Sequence, residues 1–106
     1  MKTGKLSKMK GGWFIGDFEP TLLRTPGLEV AVKRYNAGDQ ERPHFHKIAT
    51  EYTLIVEGEV EMFGERYNQD DIIVVEPEDV TGFVAITNAT TVVVKIPSVA
   101  GDKFIL

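Results

Sequence analysis

Apolar residues in this chain come in short runs with a period of two, and no segment keeps a helical period over more than a turn. Leu28 to Tyr35 (LEVAVKRY) sets Leu28, Val30 and Val32 on one face and Lys33 and Tyr35 on the other. Further runs are Trp13 to Ile15, Glu51 to Glu57, Glu59 to Phe63, Glu65 to Tyr67, Asp71 to Glu76, Val80 to Thr87 and Thr91 to Ile96. They are rich in Val, Ile, Thr and aromatics and are divided by Gly, Pro, Asn and Asp, so the pattern predicts about eight strands. Gly58 reads as the turn of a hairpin between the second and third of these longer runs, and Gly64 as the next turn. Gly82, inside a strand, predicts a bulge or a close backbone approach. The fold class is all-β, a sandwich or barrel.

Two runs are apolar on both faces: Tyr52, Leu54 and Val56 alternate with Thr53 and Ile55, and Ile72 to Val75 is unbroken. An antiparallel sheet with one wet face alternates more cleanly. The second face is therefore expected to be covered, by a second copy in a homodimer or by burial inside the monomer.

At 106 residues the chain makes one domain, expected over 11–106. Lys2, Lys5, Lys8 and Lys10 make 1–10 a basic tail, expected to be flexible and solvated. The formal net charge of −4 argues against nucleic acid as a partner. No apolar run approaches the ~20 residues of a membrane span, and the first ten residues hold no apolar signal core. With no cysteine there is no disulfide, thiolate zinc site or thiol nucleophile, which fits a cytoplasmic protein.

Both histidines lie two residues apart, after a proline that disfavours a helix. On an extended strand His44 and His46 share a face about 7 Å apart, close enough for both rings to reach one ion. Glu51, at the start of the next strand, is the natural third ligand. Two neutral imidazoles and a carboxylate suit Fe(II), Mn(II), Ni(II) or Zn(II), with positions left for water or substrate. On this reading Thr53 and Ile55 share the Glu51 face and line the pocket.

The segment GDQERPHFHKIATEYTLIVEG fits G-x5-H-x-H-x4-E-x6-G at Gly38, His44, His46, Glu51 and Gly58. Here the sequence resembles the cupin superfamily through its first motif. The resemblance implies a small jelly-roll β-barrel of two antiparallel sheets, with His44, His46 and Glu51 at metal-ligand positions inside it. The second motif, G-x5-P-x-G-x2-H-x3-N, is present in outline only. Pro77 fits, Asp70 stands near the first Gly, Asp79 stands at the second Gly, and Ile86 stands at the Asn, with Asn88 two residues further on. Gly82 stands where a third metal-binding His is expected. Three readings stay open: a divalent ion held by two imidazoles, one carboxylate and water; a pocket with no ion; or a replacement oxygen ligand, Asp79 or Thr81 being nearest.

Lys33 and Tyr35 face solvent if Leu28, Val30 and Val32 enter the core, and line the pocket if that apolar set covers a dimer face. In the second case they would hold an anionic or hydroxylated ligand. Phe45, Tyr52 and Phe83 read as core, and Lys33, Tyr35, Thr53 and Phe83 are the ligand-binding candidates. The expected function is a metal-binding cupin with a sugar-like or carboxylate small molecule as ligand. The resemblance also admits an isomerase, epimerase or lyase, and less readily a dioxygenase, on a sugar or small acid. His44 or Glu51 would then be the candidate catalytic base. A metal-free accessory protein that binds a partner through its outer face is the remaining alternative.

Overall fold

The computed structural model describes residues 1–106. Eleven strands form in chain order: β1 (Trp13–Gly16), β2 (Leu23–Arg24), β3 (Glu29–Tyr35), β4 (Gln40–Phe45), β5 (Thr50–Glu57), β6 (Val60–Met62), β7 (Glu65–Tyr67), β8 (Ile72–Val75), β9 (Thr81–Ala85), β10 (Ala89–Ile96) and β11 (Phe104–Ile105). They make a six-stranded sheet in the order β2-β1-β3-β10-β5-β8 and a five-stranded sheet in the order β11-β4-β9-β6-β7. Every pairing is antiparallel except the short β1–β2 ladder. No helix is long and apolar enough to cross a membrane.

Three strands go beyond the hydrophobic pattern. β2 and β11 are two residues each, and β4 (QERPHF) is polar and holds a proline, so none carries an alternation to read. The proline is accommodated by a bulge: Glu41 pairs with Phe83 and His44 with Thr81, so Arg42 and Pro43 together oppose Gly82. The irregularity expected at Gly82 thus lies across from it, where a prolyl residue has no N–H to give to the ladder.

The expected hairpin at Gly58 does not form. β5 belongs to the six-stranded sheet, and β6 pairs with β7 and β9 in the other. Gly58 is a corner between sheets. Its φ is +94°, and a Cβ there would lie 2.2 Å from the Asn88 carbonyl oxygen, so only glycine fits. Glu59 then locks the corner: its carbonyl accepts from the N–H groups of Ile86 and Thr87, and its own N–H donates to Thr87 Oγ1. Gly64 does close a two-residue hairpin between β6 and β7, with Phe63 at φ +53° and Gly64 at +73°.

Between the sheets, Ile55, Val60, Met62, Ile73, Val75, Phe83, Ala85 and Ala89 form one buried apolar cluster. The rest of the interior is largely polar, with Ala31, Ala49 and Val93 as its other buried apolar residues. Tyr52 is 41% exposed, on the outer face of the six-stranded sheet and not in the core. Phe45 is half-buried and stacks on Phe104 with ring centroids 5.3 Å apart. At the other end, Leu6–Lys8 and Lys10–Gly12, in and just after the basic segment, form two 3-10 turns that lead into β1.

A candidate ligand site inside the barrel

β4 runs straight into the site. The pleat turns His44 inward and Phe45 outward, and His46 follows inward, leaving the imidazoles 8% and 2% exposed. Their ring centroids lie 5.4 Å apart and nearly perpendicular, as an extended His-Phe-His requires. His44 Nδ1 lies 2.9 Å from the Arg42 carbonyl oxygen. A carbonyl only accepts, so the proton sits on Nδ1 and Nε2 is left as a free acceptor.

The six-stranded sheet supplies the opposite wall through its register. Lys95 on β10 stands directly between Glu29 on β3 and Glu51 on β5. The next inward row is Ala31, Val93 and Thr53, and the one after it is Lys33, Thr91 and Ile55. Small residues in the middle row leave space, and the outer rows carry charge. Lys95 Nζ is 3.1 Å from Glu29 Oε1, with both side chains nearly buried. The second Glu29 oxygen accepts from Ser98 Oγ at 2.7 Å, and Ser98 Oγ in turn accepts from the Asp17 N–H at 2.9 Å. Glu51 Oε2 accepts from Thr53 Oγ1 at 3.1 Å. Two ammonium groups lie over the Trp13 ring, Lys95 Nζ 5.2 Å and Lys33 Nζ 5.4 Å from its centroid.

Lys95 also contacts His46, with Nζ 3.5 Å from Nε2. An ammonium has only donors, so Nε2 accepts and the His46 proton sits on Nδ1, a buried atom with no partner. Burial first, then Lys95 and His44, push the His46 imidazole down to about 4, so it is neutral at pH 7. The segment after His46 is clipped by Asp102. Its carboxylate accepts the N–H of Lys47 at 2.9 Å, of Ile48 at 3.2 Å and of Ala49 at 2.9 Å. Burial by itself would raise the Asp102 carboxyl, but the N–H groups of Ala49, Lys47 and Ile48 outweigh it and hold it below the ordinary aspartate range.

Tyr35 and Phe83 stack with centroids 4.4 Å apart. The Tyr35 hydroxyl donates to Glu41 Oε2 at 2.7 Å. Burial, then the Glu41 charge, raise the phenol far above its ordinary value, so it stays a donor. Burial would also raise Glu41, but Lys33, the Tyr35 hydroxyl and Lys103 overcome this and hold its carboxyl below the usual range.

These groups surround a cavity of about 410 Å³, within the usual size for small-molecule sites. His44, His46, Glu51, Lys33, Tyr35, Thr53 and Phe83 all line it. Lys33 and Tyr35 point inward because Glu29 and Ala31 share their face, while Val30 and Val32 lie on the outer one. Six further charged residues at the cavity, Lys10, Glu19, Glu29, Glu41, Lys95 and Lys103, were not candidates from sequence. Alternation was the available signal: Glu29 lies in phase with Lys33, and Lys95, one residue before the end of the run TVVVKI, lies in phase with Thr91 and Val93. Gly82 also lines the cavity. Of the two oxygen candidates, Thr81 lines the cavity and Asp79 does not. Asp79 is exposed and accepts the Glu76 N–H in a turn, and the Thr81 hydroxyl donates to the Gly82 carbonyl.

As the chain stands, these donors do not fit a divalent ion. His44, His46 and Glu51 face one cavity, yet no group of three or more His, Asp or Glu converges closely enough to hold a metal. The Lys95 ammonium instead lies against His46 Nε2 and beside Glu51 in the sheet register.

The sequence matches no family model and no curated protein. Solved structures do resemble it. KdgF from Halomonas sp. superposes with a TM-score of 0.64 at 25% identity, over 71% of this chain and 74% of that one. A sugar phosphate isomerase of the cupin superfamily from Silicibacter pomeroyi gives 0.63 at 21% identity, over 68% of this chain and 52% of that one. This chain has the fold of these cupin structures. An uncharacterized Klebsiella pneumoniae protein with a double-stranded beta-helix domain superposes with a TM-score of 0.67 at 24% identity, over 76% of each chain.

Proposed function

We propose that this cupin binds a small molecule carrying both a carboxylate and hydroxyl groups, a sugar acid or a close analogue. The observation that carries this reading is the composition of the cavity wall. Lys33 and Lys95 present ammonium groups, His44 a free Nε2, and Glu51 and the Tyr35–Glu41 pair acceptors, around 410 Å³ of space. Fixed cations meet a carboxylate, while an imidazole lone pair and carboxylate oxygens accept from hydroxyls. The buried His46 Nδ1 and Thr91 Oγ1 lack partners, and buried polar groups are normally satisfied by protein, water or ligand. Two solved structures of this fold, a sugar phosphate isomerase and oxalate decarboxylase from Bacillus subtilis, act by name on a sugar phosphate and on a small carboxylate.

A thermal-shift screen in chelator tests this with a hexuronic acid, the matching neutral hexose and oxalate. At about ten times the dissociation constant, a ligand that binds only the folded chain adds about 1.4 kcal/mol. For a domain of this size that raises Tm by roughly 5–10 °C. The uronic acid is expected to give the largest shift, and His44→Ala and Lys33→Met to abolish it. Equal, null shifts for all three compounds would remove the reading.

The outer face of the six-stranded sheet supports a homodimer. Val30, Val32, Leu54, Val92 and Val94 are half-buried there, and Tyr52, Val56, Ile72 and Val74 are 41–66% exposed. This is an apolar surface of the kind that marks association, on strands whose opposite face already packs in the barrel. A second copy of the same sheet is the self-complementary partner that two-fold symmetry provides. Light scattering is expected to show twice the chain mass for the native protein, and one chain mass for an Ile72→Lys/Val74→Lys variant with an unchanged circular dichroism spectrum. A native monomer at tens of micromolar removes the dimer.

A further inference from the structure

The least expected group in the barrel is a lysine at the centre of the donor set. Lys95 Nζ lies 3.1 Å from Glu29 Oε1 and 3.5 Å from His46 Nε2, with the Trp13 face 5.2 Å away. Glu51 is its neighbour in the sheet register on the other side. A carboxylate, an imidazole lone pair, an indole face and a second carboxylate strand-neighbour are all electron-rich. Together they describe a box for a cation, and the chain has placed its own cation inside.

We propose that the Lys95 ammonium is the built-in cation of this cupin, taking the place the donor set offers an ion and excluding a divalent metal from it. A metal on His46 needs the Nε2 lone pair at about 2.0–2.1 Å. That lone pair faces Lys95, and an arriving ion would meet a positive charge a few ångströms away. Glu29 is equally committed, one oxygen to Lys95 and the other to Ser98. Displacing the ammonium would mean breaking a nearly buried ion pair and finding it another place inside the barrel. Gly82 belongs to the same arrangement: the position of the absent third histidine has no side chain, so the centre has no further donor to outbid the lysine. The idea also deepens the ligand reading, and rests on it in one respect: the charge that meets the ligand carboxylate is then an ammonium and not a metal.

The test is isothermal titration of Zn2+, Mn2+ and Ni2+ into chelator-stripped native protein and into Lys95→Met, which keeps the length and apolar stem of the side chain and removes the charge. Because Lys95→Met leaves Glu29 unpaired, a Glu29→Gln/Lys95→Met pair is run beside it, and circular dichroism establishes which variants are folded. The native chain is expected to show no saturable site. The folded variants are expected to gain a one-to-one site, at least about tenfold tighter than any residual binding to the native chain, the scale on which groups around a metal's ligands change its affinity. His46→Ala in the same background is expected to remove it, and Lys33→Met alone to gain none. Stoichiometric metal in the native chain with no tighter binding in the variants overturns the proposal. So does the absence of any gain in folded variants. The titrations contain no organic ligand and the thermal-shift screen contains no metal, so either reading fails without the other.

Discussion

Glu29→Gln is expected to be among the most destabilising single changes in this chain. Glu29 and Lys95 form an ion pair at 3.1 Å whose side chains are 11% and 14% exposed. Removing the carboxylate charge leaves an ammonium in the barrel with only a neutral imidazole at 3.5 Å, an indole face and Glu51 across the register. Breaking one side of a buried pair typically costs about 3–5 kcal/mol, because the remaining charge stays desolvated. For a domain of this size that lowers Tm by roughly 15–30 °C. The double variant Glu29→Gln/Lys95→Met removes both charges and is expected to recover much of the loss, since replacing a whole buried pair is often close to neutral. Urea melts of the four proteins give the coupling directly. A single-variant loss under about 1 kcal/mol would show that solvent reaches Lys95 and that the pair behaves as a surface bridge. That result would also weaken the case for Lys95 as a held cation.

Asp102→Ala is expected to cost about 3 kcal/mol, since a carboxylate hydrogen bond contributes roughly 1.5–3 kcal/mol and three backbone N–H groups lose their acceptor together. The estimate stays well below the sum, because Lys47 and Ile48 are exposed and water can take their N–H groups, whereas Ala49 is 3% exposed and its N–H is stranded. The pH dependence follows from the lowered carboxyl. A carboxyl held low in the fold contributes fully above its unfolded value near ~3.9, and the contribution is lost as the pH falls through the lower folded value. Asp102→Asn is therefore expected to be clearly less stable than the native chain at pH 7, with the difference shrinking below about pH 4. Urea melts at pH 3, 5 and 7 measure this, and a difference that holds constant across them contradicts the assignment. The segment clipped by Asp102 joins His46 to the strand that carries Glu51. Loss of ligand binding is expected to accompany the loss of stability, although Asp102 does not line the cavity.

The cupin motif has a local physical meaning in this barrel. Gly38 and Gly58 both adopt positive φ, +92° and +94°, at the ends of the segment that carries the histidines. The first follows β3 before the polar strand β4, and the second turns the chain from one sheet to the other. Between them the two-residue strand period delivers His44 and His46 to one wall and Glu51 to the other.

From the sequence alone, short range and periodicity determined eight of the eleven strands, the all-β class, the shared face of His44 and His46, and the two-sided apolar runs of β5 and β8. These depend on spacings of one to a few residues, which survive in any fold that keeps the strands extended. The choice between solvent and pocket for Lys33 and Tyr35 was left open, because alternation divides a strand into two faces without saying which is inside. The Gly58 hairpin misled for the same reason: a glycine between two strands marks a turn, and whether they pair across it depends on what else competes for their edges. Only the tertiary structure brought Asp102 to Lys47–Ala49, more than fifty residues away along the chain, and set Lys95 between Glu29 and Glu51. Electrostatic partners are chosen by register between distant strands, and that register is fixed by the packing of the whole barrel. So the two histidines were legible from the start, and the cation that faces them was not.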